Sequence, residues 1–354
     1  MEKNNILIIQ QHQFGYLTDS YKWCEYLKSK YNITLLCYDR GKERIPMEGI
    51  RIKYFNIKGN RYTRGIRFLL ICLWNILRNN GTTIIVYFEK CEWLKRLLPF
   101  KKMIVDIRTL SVSPNVTQRN KHDGLLRNAC RYFDVITVIS EGIKQKLNLS
   151  NKNIKILPLG ADIISTQKKS YSPFKLFYVG TLSNREMEKT IDGFELFIKN
   201  NPTIEASYDI VGDGVQDELR KLIEYTNSKK RDIASKITFH GRLPYNQLQP
   251  FFDNCNIGIS FVPITDYFDC QPPTKTFEYI LSGLYTIATA TKSNKEIITS
   301  DNGILINDSP EDFANALKYI AKYNEDIKEE NIRKSLINHT WDKIISVQLE
   351  PLLQ

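Results

Sequence analysis

Gln271-Pro272-Pro273-Thr274-Lys275-Thr276-Phe277-Glu278-Tyr279 runs on through Ile280-Leu281-Ser282-Gly283 to an apolar segment, Thr286 to Ala290. Two adjacent prolines cannot sit inside a helix but readily lead into one, so the spacing predicts a helix from about Thr274 to Gly283, where glycine ends it. Lys275 is out of place there. A helix start carries partial positive charge and bare N–H groups, so a cation is unfavourable unless an anion lies between, and a phosphate fits that role. Glu278, three residues on and on the same side, is placed to accept hydrogen bonds from the neighbouring hydroxyls of a ribose. A surface Lys–Glu pair with a threonine cap accounts for these residues equally well.

The chain has 354 residues, more than one core usually serves, so two domains are expected. Its charge is uneven: residues 1–165 hold 28 Lys+Arg against 13 Asp+Glu, whereas residues 166–354 hold 22 against 26. A basic half beside a mildly acidic half points to an anionic surface met by one domain only. The seven cysteines (24, 37, 72, 91, 130, 255, 270) include no Cys-x-x-Cys pair, and their odd count argues against a closed disulfide framework and for a reducing compartment. Met1-Glu2-Lys3-Asn4-Asn5 leads into a short strand and lacks a signal-peptide apolar run. The most apolar run, Phe68 to Leu77, is interrupted by Asn75 and falls far short of the ~20 residues that span a bilayer. The expectation is a cytoplasmic protein that does not cross the membrane.

Short apolar strands alternate with helical patterns throughout. Strands are expected at Ile6 to Ile9, Ile33 to Cys37, Ile50 to Phe55, Thr83 to Tyr87, Lys102 to Asp106, Asp134 to Ile139 and Ile154 to Pro158, with a basic helix from Thr63 to Arg78. That order predicts a parallel sheet with helices on both faces. Ligands of such sheets bind beyond the strand C-termini, which places His12, Gly15 and Asp106 on or near one rim. Gly160 to Pro173, rich in Ser and Lys, reads as an interdomain linker, after which the pattern restarts with strands at Lys175 to Val179, Tyr208 to Val211, Lys236 to His240 and Ile257 to Phe261.

In this second half Gly180 closes a strand and is followed by Arg185 and Lys189 around a helix start, a pattern that holds a diphosphate through backbone N–H groups and one or two cations. Glu186 and Glu188 lie among them and leave a solvated helix start as a competing account. Gly212-Asp213-Gly214 is a tight turn after a strand. His240-Gly241-Arg242 ends another strand, where backbone groups can line a nucleobase edge or Gly241 can serve a plain turn.

Phe177-Tyr178-Val179-Gly180-Thr181-Leu182, Ile210-Val211-Gly212-Asp213-Gly214, Ile237-Thr238-Phe239-His240-Gly241-Arg242-Leu243-Pro244 and Pro273-Thr274-Lys275-Thr276-Phe277-Glu278-Tyr279 together resemble the C-terminal domain of GT-B-fold glycosyltransferases of the family-4 (group 1) class. The resemblance covers residues 175–320. The first half is similar more loosely, through Ile104-Val105-Asp106-Ile107-Arg108, Val138-Ile139-Ser140-Glu141 and Leu157-Pro158-Leu159-Gly160-Ala161-Asp162. The implied fold is α/β, two Rossmann-like parallel-sheet domains facing a central cleft: residues 1–165 acceptor-binding and membrane-facing, residues 166–335 binding the nucleotide-sugar, and residues 336–354 a helix returning to the first domain. By the same resemblance Arg185, Lys275 and Arg108 form the catalytic set, Gly180, Lys189, Gly212, His240, Gly241, Arg242, Thr274, Thr276 and Glu278 serve the donor, and His12, Gly15 and Asp106 lie on the acceptor side. Two departures stand out. The family often has a glutamate eight residues before the ribose-binding one, where this chain has Cys270 beside Asp269, and Arg108 stands where many members carry a histidine.

The chemistry this implies retains the anomeric configuration without a metal or other cofactor: the leaving phosphate takes the acceptor hydroxyl proton while the protein stabilises the separating charge. The four histidines (12, 122, 240, 339) are scattered, and no Asp-x-Asp follows a strand. Lys58, Arg61, Arg64, Arg67 and Arg78 flank the apolar Phe68 to Trp74, and Trp93 to Leu98 with Lys101 and Lys102 form a second basic-apolar cluster, which suggests peripheral contact with an anionic membrane and a glycan or lipid-linked acceptor in surface polysaccharide biosynthesis. Core helices with solvated charged faces are the plainer account of each cluster taken singly. A nucleotide-sugar 2-epimerase of the same architecture and a non-catalytic membrane-associated binding protein are the alternatives; nucleic acid is not an expected partner, since no reader motif is present.

Overall fold

A computed structural model describes residues 3–149 and 153–354. Met1 and Glu2, where the N-terminal reading begins, lie outside the described residues. The chain divides into two compact units, one of residues 1–160 with 341–354 and one of residues 161–340. The sequence reading placed these divisions at 165/166 and 335/336.

In the first unit the strands are β1 (Asn5–Ile9), β2 (Asn32–Asp39), β3 (Ile50–Asn56), β4 (Thr82–Val86), β5 (Met103–Ile107), β6 (Val135–Val138) and β7 (Asn153–Ile156). They form one parallel sheet in the order β3-β2-β1-β4-β5-β6-β7. Every residue of β4 and β5 is buried, as expected of strands covered on both faces. Trp341, Ile344, Ile345, Leu349 and Leu353 join the core around Ile6, Ile8, Trp23 and Leu35, so the last residues of the chain complete this unit. They do so as one continuous helical run from Trp341 to Leu353 that widens to a π-helix over Ile345–Leu349, the returning helix expected from the sequence. Lys30–Glu350 at 2.8 Å and the Thr82 hydroxyl donating to the Leu353 carbonyl fasten them.

The second unit repeats the plan with β8 (Phe174–Val179), β9 (Ala206–Val211), β10 (Ile237–Gly241), β11 (Ile257–Ser260), β12 (Tyr285–Thr289) and β13 (Gly303–Ile306), a parallel sheet in the order β10-β9-β8-β11-β12-β13. Strand β13 is not among the strands the sequence reading expected, although Asp301-Asn302-Gly303 marks a turn before its apolar Ile304-Leu305-Ile306. The core gathers Phe177, Val211, Leu248, Phe252, Tyr279 and Leu284.

Residues 160–173 are not a free linker. Although without regular structure, residues 164–171 are tied into the second unit: the N–H groups of Ile164 and Ser165 donate to the Ser282 hydroxyl, the Tyr171 hydroxyl donates to the Gly283 carbonyl, and Arg333 donates to the carbonyls of Ser165 and Gln167. Polar composition here serves satisfied backbone contacts rather than solvent.

Helix Arg61–Arg78 is capped by Asn60, whose side chain accepts from the Thr63 N–H. Only Phe68, Cys72, Asn75 and Ile76 are buried, whereas Tyr62, Ile66, Leu70 and Trp74, at steps of four, are 78, 61, 59 and 56% exposed. The helix therefore carries two apolar stripes, one packed and one open. Trp93, Leu97 and Phe100 are exposed as well, but Lys95 turns inward to Asp134 at 2.7 Å and to the carbonyls of Pro99 and Lys101, so this second cluster spends part of its charge internally. Among the described residues no helix is long and apolar enough to cross a membrane.

Candidate active site

The site in the second unit is built where β8, β9 and β10 end. Gly180 and Gly212 follow β8 and β9 with φ of 147° and 155°, and a Cβ on Gly212 would lie 1.9 Å from the Gly180 carbonyl oxygen. Only glycine permits that backbone approach. The N–H of Gly212 donates to the Gly241 carbonyl at 2.8 Å, so the three strand ends are hydrogen-bonded into one floor. Above it opens a pocket of about 500 Å³ lined by Gly180, Ser183, Gly212, Val215, Arg242 and Leu243, among others. That volume suits a small organic ligand.

Helix Thr274–Leu281 is set against this floor by Tyr279. The Tyr279 hydroxyl accepts from the Val179 N–H at 2.8 Å, and its ring occupies space that any side chain at Gly258 would fill. No side chain caps the helix start at Pro273. Lys275 comes to rest with Nζ 3.6 Å from the centroid of the Tyr178 ring and near Gly180. The residue is half-buried, and burial followed by the nearby Arg185 charge pushes its pKa well below the ordinary lysine value. The Arg185 guanidinium lies 4.4 Å over Phe268 and makes only long contacts, 3.4 Å each, to the Ser183 and Asn184 carbonyls. Burial lowers its pKa as well. Among the described residues neither cation is ion-paired with a carboxylate. Two cations on aromatic faces, side by side without counter-charge, are an arrangement that a bound anion completes.

Glu278 lies one turn beyond Lys275, where it accepts from the Tyr245 hydroxyl at 3.3 Å; the same hydroxyl reaches Asp162 at 3.2 Å. Tyr245 is the residue that sequence reasoning missed. Its position two residues beyond Leu243, at the end of the quoted His240 to Pro244 motif, was the available signal.

Several expected donor residues are engaged elsewhere. Thr276 is fully buried, its hydroxyl 2.6 Å from that of Ser260, so it serves the core and cannot face a ligand. Lys189 is paired with Glu186 at 2.6 Å, which also removes the acidic neighbour that competed with Arg185. His240 bonds Asp209 at 2.7 Å and packs on Phe251, away from the strip formed by Lys275 and Glu278. Thr274 is half-buried at the helix start, and Arg242 is exposed on the pocket wall. Asp269 holds the start of the short helix Lys292–Lys295, accepting from the Lys292 N–H at 2.7 Å, and Cys270 is buried.

In the first unit Arg108 is not free to meet a substrate. It is buried between Asp106 and Asp19, both at 2.9 Å, donates to the Leu157 carbonyl at 2.7 Å, and lies over Trp23. Asp106 is wholly buried and also accepts from Thr137, with burial raising its pKa against the pull of Arg108. This cluster is internal scaffolding, which corrects both the catalytic reading of Arg108 and the acceptor reading of Asp106. Gly15, at φ 88°, is pressed against Ile45 and has a backbone role. His12 lines a cavity of about 1,060 Å³ that also takes in Arg40, Arg64, Leu70, Trp93 and His122. Partial burial and the charges of Arg40 and Lys42 lower the His12 pKa. Among the described residues no group of three or more His, Cys, Asp or Glu is arranged to hold a metal ion.

Residues 173–322 match the family model described as Glycosyl transferases group 1. No curated protein matches the chain by sequence. Solved structures similar to it include sucrose-phosphate synthase from Thermosynechococcus elongatus, with 14% identity, 97% of this chain and 96% of that one covered, and a TM-score of 0.71. HepE from Anabaena in complex with UDP is similar over 98% of each chain at 12% identity, with a TM-score of 0.73. The lipopolysaccharide outer core galactosyltransferase WaaB is similar over 97% of this chain and 98% of its own at 15% identity, with a TM-score of 0.71. At such identities the likeness is one of fold, and it extends over nearly all of the chain.

Proposed function

We propose that this protein, which has the GT-B fold and whose residues 173–322 match the model for group 1 glycosyl transferases, is a glycosyltransferase that moves a sugar from a nucleoside diphosphate donor, held by the second unit, to a glycan or lipid-linked acceptor held by the first. The observation that carries this is the unpaired couple Lys275 and Arg185 beside the glycine floor at Gly180 and Gly212. In this reading the base and ribose occupy the pocket walled by Arg242 and Leu243, Glu278 with Tyr245 takes the ribose hydroxyls, and the diphosphate lies against the Thr274 helix start. The complex of HepE with UDP, on the same fold, makes UDP the first donor nucleotide to test.

Transfer proceeds with retention and without a metal. The leaving phosphate accepts the proton of the attacking hydroxyl, and Lys275 and Arg185 hold the negative charge that separates on it, an electrostatic contribution largest in an enclosed site. Arg108 takes no part in that step. The cavity at His12 and Arg40 is the acceptor site, and the open apolar stripe of helix Arg61–Arg78, flanked by Arg61, Arg64, Arg67 and Arg78, rests on an anionic membrane at the cytoplasmic face. A surface glycan as product accords with that placement and with the fold shared with WaaB.

Release of nucleotide from candidate sugar donors, with and without acceptor, tests the reading. Thermal-shift titration with UDP and GDP that gives no stabilisation would end it.

A further inference from the structure

A second pocket, of about 480 Å³, lies at the opposite end of the first sheet from His12 and Arg40. It is lined at the amino-terminal ends of β1 and β2 (Asn5 to Leu7 and Asn32 to Thr34) and along β3 by Arg51 and Lys53, and it is closed by Asn75, Arg78 and Asn79 from the end of helix Arg61–Arg78. Substrates of doubly wound sheets bind at the carboxyl ends of strands, so this pocket belongs to a different task. Among the described residues three that line it are cations and none is acidic. Lys53 is half-buried and oriented by the Asn75 side chain, which accepts from Nζ at 2.5 Å and donates in turn to the Ile71 carbonyl. Burial, with the charges of Arg51 and Arg78 close by, lowers the Lys53 pKa. Arg78 is held over the Trp74 ring at 4.0 Å, and Lys101 closes the helix end by donating to the Leu77 and Asn79 carbonyls.

An anion is what such a pocket lacks, and its surroundings indicate where that anion comes from. Trp74 and Leu77, 56 and 48% exposed, stand on the same helix end as Arg78 and continue the open apolar stripe of Tyr62, Ile66 and Leu70. A phosphate seated between Arg51, Lys53 and Arg78 would thus have its hydrocarbon attachment beside exposed apolar side chains. We propose that this pocket is a headgroup site for an anionic phospholipid, anchoring the first unit on the membrane independently of substrate. The inference rests on the peripheral-membrane part of the function proposed above and gives it a specific ligand and location.

The test is co-sedimentation of the full chain with phosphatidylcholine vesicles prepared with and without phosphatidylglycerol. The Arg51→Gln/Lys53→Gln variant is compared with Lys58→Gln/Arg67→Gln, which removes two cations at the same helix but outside the pocket. Both variants forfeit the general surface attraction of two cations, but only the pocket variant also loses charge-assisted contacts to a seated phosphate, so it is expected to bind anionic vesicles at least about tenfold more weakly than the other. UDP thermal shifts that match wild type confirm that the variants are folded; should the double variant fail to fold, Arg51→Glu alone, at an exposed position, replaces it. Equal losses for the two double variants would overturn the headgroup site while leaving membrane contact and transferase function standing. Wild type that ignores phosphatidylglycerol would remove the membrane reading and this inference together. Stabilisation by inorganic phosphate without recruitment to anionic vesicles would assign the pocket to a free anion and overturn the lipid source.

Discussion

Lys275→Met separates a ligand-holding lysine from a structural one, because the two roles predict opposite signs for stability. The side chain is half-buried, sits beside Arg185 and has no carboxylate partner among the described residues, so in the free protein its charge costs rather than contributes. Removing a partly desolvated charge of this kind recovers roughly 1–3 kcal/mol. Against this stands the contact with the Tyr178 ring at 3.6 Å, for which about 0.5–2 kcal/mol is forfeited. Methionine keeps the length and apolar stem, so little packing is lost. The net gain of ~1 kcal/mol corresponds to a rise in Tm of about 2–4 °C for the free protein. With UDP the sign reverses: loss of one charge-assisted contact weakens binding by about tenfold to a hundredfold. Differential scanning fluorimetry with and without UDP reads both effects in one experiment. A variant that melts several degrees lower than wild type yet binds UDP equally well would refute the argument, since that pattern belongs to a lysine that holds the fold.

The depressed Lys275 pKa also gives a pH dependence. A diphosphate raises that pKa, so between its free and bound values binding takes up a proton, and affinity falls as pH rises through the bound value; calorimetry in buffers of different ionisation enthalpy should detect the uptake in wild type and not in Lys275→Met. Asp106→Ala removes one of the two carboxylates on buried Arg108, leaving Asp19, and should cost about 1–3 kcal/mol, a Tm fall of several degrees measurable by circular dichroism, with UDP affinity at permissive temperature unchanged. Gly212→Ala drives a methyl into the Gly180 carbonyl and should abolish UDP binding with loss of local order, whereas Gly124→Ala, on an open helix surface where a Cβ meets nothing within 4 Å, should behave as wild type in the same titration. Glu278→Ala and Tyr245→Phe should each weaken UDP affinity, the first more, by about tenfold against severalfold in isothermal titration.

The two parallel sheets were legible because buried parallel strands read as short, nearly continuous apolar runs and the helices between them carry a different period. Strand β13 was not, its apolar run being only Ile304-Leu305-Ile306 between polar turns. At the site, residues whose role depends on backbone conformation were legible: Gly180 and Gly212 follow strands where a tight turn is required, and both hold positive φ. Residues whose role depends on where a side chain points were not. Thr276 and Lys275 are adjacent in sequence, yet the rotation of one helix sends the first into the core and the second onto Tyr178.

By itself the sequence determined the class of fold, the glycine turns at the strand ends, the uneven distribution of charge and the anomaly of a lysine at a helix start. Tertiary structure alone decided which charges are neutralised and which are left over. Among the described residues Arg108 and Lys189 find carboxylates; Arg185 and Lys275 do not. The reason is physical: an ion pair forms across distances of 2.6 to 2.9 Å, and whether the packing of strands separated by tens of residues brings a partner that close is not contained in the local order of the chain.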